Sequence, residues 1–186
     1  GFVNDIRSIA ELLPRERQTL CYSATTTPAV QKIVQDFMRD PITVSVRRGE
    51  TADHIDQDVI RAHDKLHKIE ILSELLAKED FEKVLIFGET KFGVQRLADS
   101  LTKNNLPAVA IHGNKSQSQR ERALRSFRSN EVNIMVATDV AARGLDIPDV
   151  THVINFDQPK AYEDYVHRIG RTGRAGKNGK AITFVS

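Results

Sequence analysis

A chain of 186 residues is long enough for one hydrophobic core with a smaller piece appended. Its 40% hydrophobic and 28% charged residues are ordinary for a globular protein, with no signal peptide and no apolar stretch near the ~20 residues that span a bilayer, so no membrane partner is expected. A single cysteine, Cys21, excludes an intramolecular disulfide framework and fits a reducing, cytoplasmic setting, and a formal charge of +2 confines any nucleic-acid affinity to a local basic patch.

The first elements read helix, strand, helix, strand. Residues 3–13 carry Ile6, Ile9, Ala10 and Leu13 at helical spacing, and Pro14 stops the run. Residues 19–23 form a short buried strand, in which Cys21 reads as a small core residue and not as a nucleophile. Thr27 before Pro28 is a cap followed by proline at the first helical position. That helix runs to about Met38 with Val30, Ile33, Val34 and Phe37 inward, Pro41 ends it, and residues 42–46 (ITVSV) give the next strand. Residues 47–55 mix charge and glycine without a period and read as a linker, which separates a unit of residues 1–46 from one of residues 56–186.

From residue 56 strands and helices alternate. Strands are expected over residues 57–61, 83–87, 108–111, 133–137, 152–156 and 181–185, and helices over residues 67–78, 92–104, 116–129 and 161–169. Apolar strands alternating with amphipathic helices argue an α/β fold: a parallel sheet with helices on both faces.

The run YVHRIGRTGRAG, residues 165–176, sets Arg168, Arg171 and Arg174 three apart among glycines. Glycine lets a backbone turn tightly, and the planar guanidinium matches phosphate oxygens. The run therefore suits a polyphosphate, or two arginines reaching a phosphate held elsewhere. His167, Arg171 and Arg174 are spaced i, i+4, i+7, one face if the helix persists. Upstream, ATDVAARGLDIP follows the apolar run NIMV and puts Thr138, Asp139, Arg143 and Asp146 at a strand's C-terminal end, where ligands of open α/β sheets bind. VLIFGET ends a strand at Thr90, IHGNKSQSQRER puts His112, Gly113, Gln117 and Arg120 at another strand-to-helix junction, and SAT (residues 23–25) closes the apolar run LCY. No Cys/His/Asp cluster has metal-ligand spacing.

These blocks, in this order, resemble motifs III, IV to IVa, V and VI of the DEAD-box RNA helicases, over effectively the whole chain. His167 favours this branch over the DEAH-type helicases, which typically carry Gln there. The resemblance implies a RecA-like domain for residues 56–186, preceded by an α/β remnant of a first RecA-like domain in residues 1–46. It implies Arg171 and Arg174 as catalytic arginine fingers on ATP, with Asp146 at the ribose. It implies Thr90, His112, Gly113, Gln117, Arg120 and Thr138 as contacts to single-stranded RNA backbone, bound without sequence preference. Ser23, Thr25 and His167 become the residues that couple the two domains.

No stretch fits the P-loop pattern Gly-x₄-Gly-Lys-Ser/Thr, whose amides cradle phosphates, and no Asp-Glu-Ala-Asp is present to hold Mg²⁺. The chain therefore reads as the C-terminal half of an ATP-dependent RNA helicase, inactive alone, with ATP and Mg²⁺ bound mainly by the N-terminal RecA-like domain. An RNA- or protein-binding module without ATPase activity is the alternative reading. Its strand over residues 19–23, cut off from the rest of a sheet, also offers residues 1–46 as a self-association surface.

Overall fold

The computed structural model describes residues 2–23, 27–45, 54–145, 147–174 and 176–186. The chain divides into two units, residues 1–47 and 48–186. Among the described residues no helix is long and apolar enough to cross a membrane.

The first unit contains α1 (Val3–Glu11) and α2 (Pro28–Phe37). Thr27 Oγ1 accepts from the Val30 amide at 3.3 Å and Pro28 follows it, so the cap expected from sequence starts α2. Arg7 and Asp36 join the helices at 2.6 Å. The strands expected over residues 19–23 and 42–46 do not form: the described residues of both runs pair with nothing in a sheet. A strand gains its stability from backbone pairing with a neighbour, and the described residues of these two runs do not pair with each other as strands. Leu20, Tyr22, Ile42 and Val44 are accordingly exposed, and so is Cys21, which sequence assigned to the core.

The second unit is a six-stranded, wholly parallel sheet: β1 (Ile55–Arg61), β2 (Val84–Phe87), β3 (Ala108–Ile111), β4 (Ile134–Ala137), β5 (His152–Asn155) and β6 (Gly179–Val185), in the order β1-β6-β5-β2-β4-β3. Helices α3 (Lys65–Leu76), α4 (Lys91–Lys103), α5 (Gln117–Arg128), α6 (Asp139–Ala142) and α7 (Tyr162–Ile169) connect the strands. β2 is buried at every position because both faces of the sheet are covered. Val84 and Ile86 pack with Leu72 and Leu76 of α3 and Val94, Leu97 and Leu101 of α4. Leu85 and Phe87 point the other way, into Phe127 of α5 and Ala141 and Ala142 of α6. Ile169 of α7 closes over Ile55 and Ala181. Each of these buried Val, Leu, Ile and Phe side chains contributes about 1.5–3 kcal/mol relative to exposure.

The expected α/β architecture is therefore present, with local differences. β6 begins at Gly179 rather than at residue 181, and α3 spans Lys65–Leu76 rather than residues 67–78. β1 starts at Ile55 rather than at residue 57. α6, with four residues, is too short to show helical periodicity and was not anticipated. α7 ends at Ile169, so the common helical face of His167, Arg171 and Arg174 does not exist. Gly173 explains why the chain cannot continue as helix: its φ is +64°, and a Cβ there would lie 2.6 Å from Ile55 Cγ1.

Candidate functional site

Because the strands are parallel and in register, the ends of β2, β3, β4 and β5 (Phe87, Ile111, Ala137 and Asn155) lie along one edge of the sheet. The segments leaving that edge carry most of the candidate residues. Thr90 caps α4 through a 3.0 Å bond from the Gly93 amide to its hydroxyl. Thr138, nearly buried, leads into α6, and its amide donates to the Ile111 carbonyl at 3.3 Å, which ties the β3 and β4 exits together.

His112 and Gly113 leave β3. The His112 ring is buried: Nδ1 accepts from the Asn114 amide at 3.3 Å, and Nε2 lies 3.1 Å from Gln95 Oε1, which requires the proton on Nε2. Burial, with Lys115 and Lys91 adding repulsion, lowers its pKa below the ordinary histidine value. Gly113 has open space where a side chain would stand. A capping box then starts α5: Ser116 Oγ accepts from the Gln119 amide at 3.3 Å, and the Ser116 amide donates to Gln119 Oε1 at 2.9 Å. It fixes the first turn, where Gln117 is exposed and bonded to Glu121, and Arg120 is half-buried with no hydrogen-bond partner for Nε among the described residues.

The arginine-rich run separates into two kinds of residue. Arg168 is inside the protein. Its Nε and Nη2 meet Asp139 Oδ1 and Oδ2 at 2.7 and 2.8 Å, Nη1 reaches Asn155 Oδ1 at 3.2 Å and the Asp157 carbonyl at 2.6 Å, and the guanidinium lies 5.2 Å from the Phe87 ring centroid. Thr172, also buried, donates its hydroxyl to the Val150 carbonyl at 2.6 Å. Arg171 sits between these anchors, half-buried, with Nη1 on the Leu145 carbonyl at 2.7 Å. Arg174 is exposed, its Nε on the Gly170 carbonyl at 2.7 Å. His167, half-buried on α7, shares a small cleft with Asp139, Arg143, Asp164, Arg168 and Arg171. Arg143 bonds Asp164 across that cleft at 2.9 Å.

The structure thus assembles His167 and Arg171 in one cleft and aligns Thr90, His112, Gly113 and Thr138 along one sheet edge. Ser23 is exposed in the first unit. Asp146 and Thr25 lie outside the described residues. Arg168 and Asp139 stand out in the sequence as candidate ligand-binding residues; the structure pairs them with each other instead, and with Thr172, which no sequence signal marks, they hold the arginine-bearing loop.

Residues 67–176 match the helicase conserved C-terminal domain family. Over all of its length the chain is 48% identical to the DEAD-box ATP-dependent RNA helicase CshA of Geobacillus kaustophilus, of which it spans 40%. The Escherichia coli DEAD-box protein SrmB, solved bound to regulator of ribonuclease activity A, is 42% identical, with a TM-score of 0.68 over 70% of this chain and 77% of that one. Saccharomyces cerevisiae Dbp5 bound to RNA and ADP BeF3 is 29% identical, with a TM-score of 0.85 over 98% of this chain and 48% of that one.

Proposed function

Because the chain belongs to the DEAD-box helicases and carries their helicase conserved C-terminal domain, we propose that it works as the second RecA-like domain of an ATP-dependent RNA helicase that separates short duplexes by closing on a first RecA-like domain. The observation that carries this reading is the pinned arginine loop: Arg168 and Thr172 are fixed in the protein, and Arg171 stands between them in sequence and lines the cleft that holds His167.

In this reading Arg171 and Arg174 reach the ATP phosphates from across the interdomain cleft. Phosphoryl transfer concentrates charge on the transferring oxygens, and such an arginine speeds it by about 10³–10⁵. Asp146 receives the ribose hydroxyls. Thr90, Gly113, Gln117, Arg120 and Thr138 hold RNA phosphates and sugars along the sheet edge, where contacts position the strand without reading bases. His112 contributes by shaping the loop that presents Gly113, since both its ring nitrogens are engaged. His167, with Ser23 and Thr25, links the ATP and RNA states. Mg²⁺ accompanies ATP, but no carboxylate set suited to hold it occurs among the described residues, so no step on this chain is routed through the ion. The lone thiol accords with a cytoplasmic location.

RNA-stimulated ATP turnover tests the proposal. The chain alone, which contains no P-loop sequence, turns over no ATP, whereas the full-length protein does and loses turnover on Arg171→Ala. Turnover by the chain alone, abolished by Arg171→Ala, would refute the division of labour. Full-length protein without turnover would favour the binding-module reading.

A further inference from the structure

Away from the C-terminal edge, the sheet has an open side. β3 is an outer strand, bonded among the described strands to β4 alone. The Ile111 carbonyl accepts from Thr138, so Val109 and Ile111 turn their backbone groups to β4, and Ala108 and Ala110 turn theirs outward. Thr102 occupies the first outward rung: its Oγ1 accepts from the Ala108 amide at 3.1 Å and donates to the Ala108 carbonyl at 3.4 Å. The next rung, the N–H and C=O of Ala110, has no such guard among the described residues.

That rung opens into a groove between α4 and α5, with a floor of small residues: Ala98, Ala108, Ala110 and Ala123. The two walls differ. Ala110 packs with α4, whose Ala98 and Gln95 give a small, uncharged wall, while Val109 and Ile111 point to the side of α5. On the α5 side stand Lys115, Arg122 and Arg125, opposed only by Glu131 among the charged lining residues. An unguarded strand edge is a template for another strand, and alternate side chains of an added strand face opposite walls.

We propose that this groove receives an extended peptide of a partner protein, added to β3 as a seventh strand, with acidic residues alternating with small apolar ones. Its backbone pairs with Ala110. Its carboxylates face Lys115, Arg122 and Arg125, and its apolar residues lie on Ala98. A nucleic-acid strand fits less well, because the groove has no aromatic residue for a base to stack on and its floor is peptide backbone.

The probe is a short peptide alternating valine and glutamate, added to the isotope-labelled chain. Amide shifts at Ala110 and His112 are expected, with affinity falling at higher salt. Arg122→Glu with Arg125→Glu, both exposed positions, should weaken binding about tenfold or more, equivalent to ~1.4 kcal/mol. A peptide N-methylated at alternate residues, which leaves the protein untouched, should not bind in one of its two phases. Three results would overturn the proposal: no shift at Ala110 at millimolar peptide, indifference to N-methylation in both phases, or displacement of the peptide by a single-stranded RNA oligonucleotide whose own affinity falls equally in the double variant.

Discussion

Arg168 grips both carboxylate oxygens of Asp139, at 2.7 and 2.8 Å, and so bolts the last turn of α7 to the first turn of α6. The arginine side chain is 3% exposed and the carboxylate 29%. Truncating one partner of a buried pair strands the other charge, which costs about 3–5 kcal/mol in full burial. The partial exposure of Asp139 argues for the low end. Arg168→Ala should therefore lower stability by ~3 kcal/mol, a loss in which the Asn155 and Asp157 contacts share. Arg174→Ala, on an exposed residue, should change it by no more than about 0.5 kcal/mol. Urea unfolding followed by circular dichroism separates the two, and equal effects would mean that the run has no buried anchor.

Arg171→Lys in the full-length protein should be nearly as damaging to turnover as Arg171→Ala. Lysine keeps the charge but loses the planar fork that binds two oxygens at once. A loss of at least ~10²-fold is expected, on the scale of arginine-finger contributions, with RNA affinity largely retained. Steady-state ATPase and RNA titrations on the same samples check this. Loss of RNA affinity at an unchanged ATPase rate would move Arg171 to the RNA track.

The sheet was legible because buried parallel strands are written as short apolar runs, such as VLIF, AVAI and IMVA, and the start of α2 because Thr27 before Pro28 marks a helix cap by its chemistry. The strand assignments at residues 19–23 and 42–46 failed because apolar patterning specifies a wish for burial, and pairing depends on a neighbour that pattern cannot supply. Arg168, Arg171 and Arg174 look alike in sequence. What distinguishes Arg168 is Asp139, 29 residues away, and only the fold brings them together. His112 stands directly after β3, at the strand-to-helix junction expected of it. The engagement of its ring by Gln95 depends on how α4 packs beside β3, which no local pattern records.

His112 and His152 should make the fold acid-sensitive. Burial lowers both pKa values below the ordinary 6.5, with Lys115 and Lys91 reinforcing the effect at His112, while at His152 Lys180 reinforces it and Asp80 opposes it. Between each folded value and 6.5 the unfolded chain holds the extra proton, so stability is intact above this window and falls as pH descends through it. Thermal melts from neutral to mildly acidic pH should show a falling Tm. The fall should shrink in His112→Gln and again in His152→Gln, because the two sites share no contact and their effects should add. An unchanged slope in both variants would assign the acid response to carboxylates instead.

Removing residues 1–46 should leave the remainder folded and make it more monomeric. The clusters that hold the second unit together draw every buried residue from Ile55 onward, so truncation takes nothing from them. What it removes is apolar surface without cover: Leu20 at 65%, Tyr22 at 88%, Ile42 at 92% and Val44 at 80% exposure, on runs whose backbone groups find no sheet. Neither α1 nor α2 buries a residue fully, although each has a well-segregated apolar stripe. Such a surface drives self-association, which light scattering reads directly. The truncated protein should scatter as a monomer over a concentration range in which the intact chain associates, with its melting transition retained. Loss of that transition on truncation would show that residues 1–46 complete the core of the second unit.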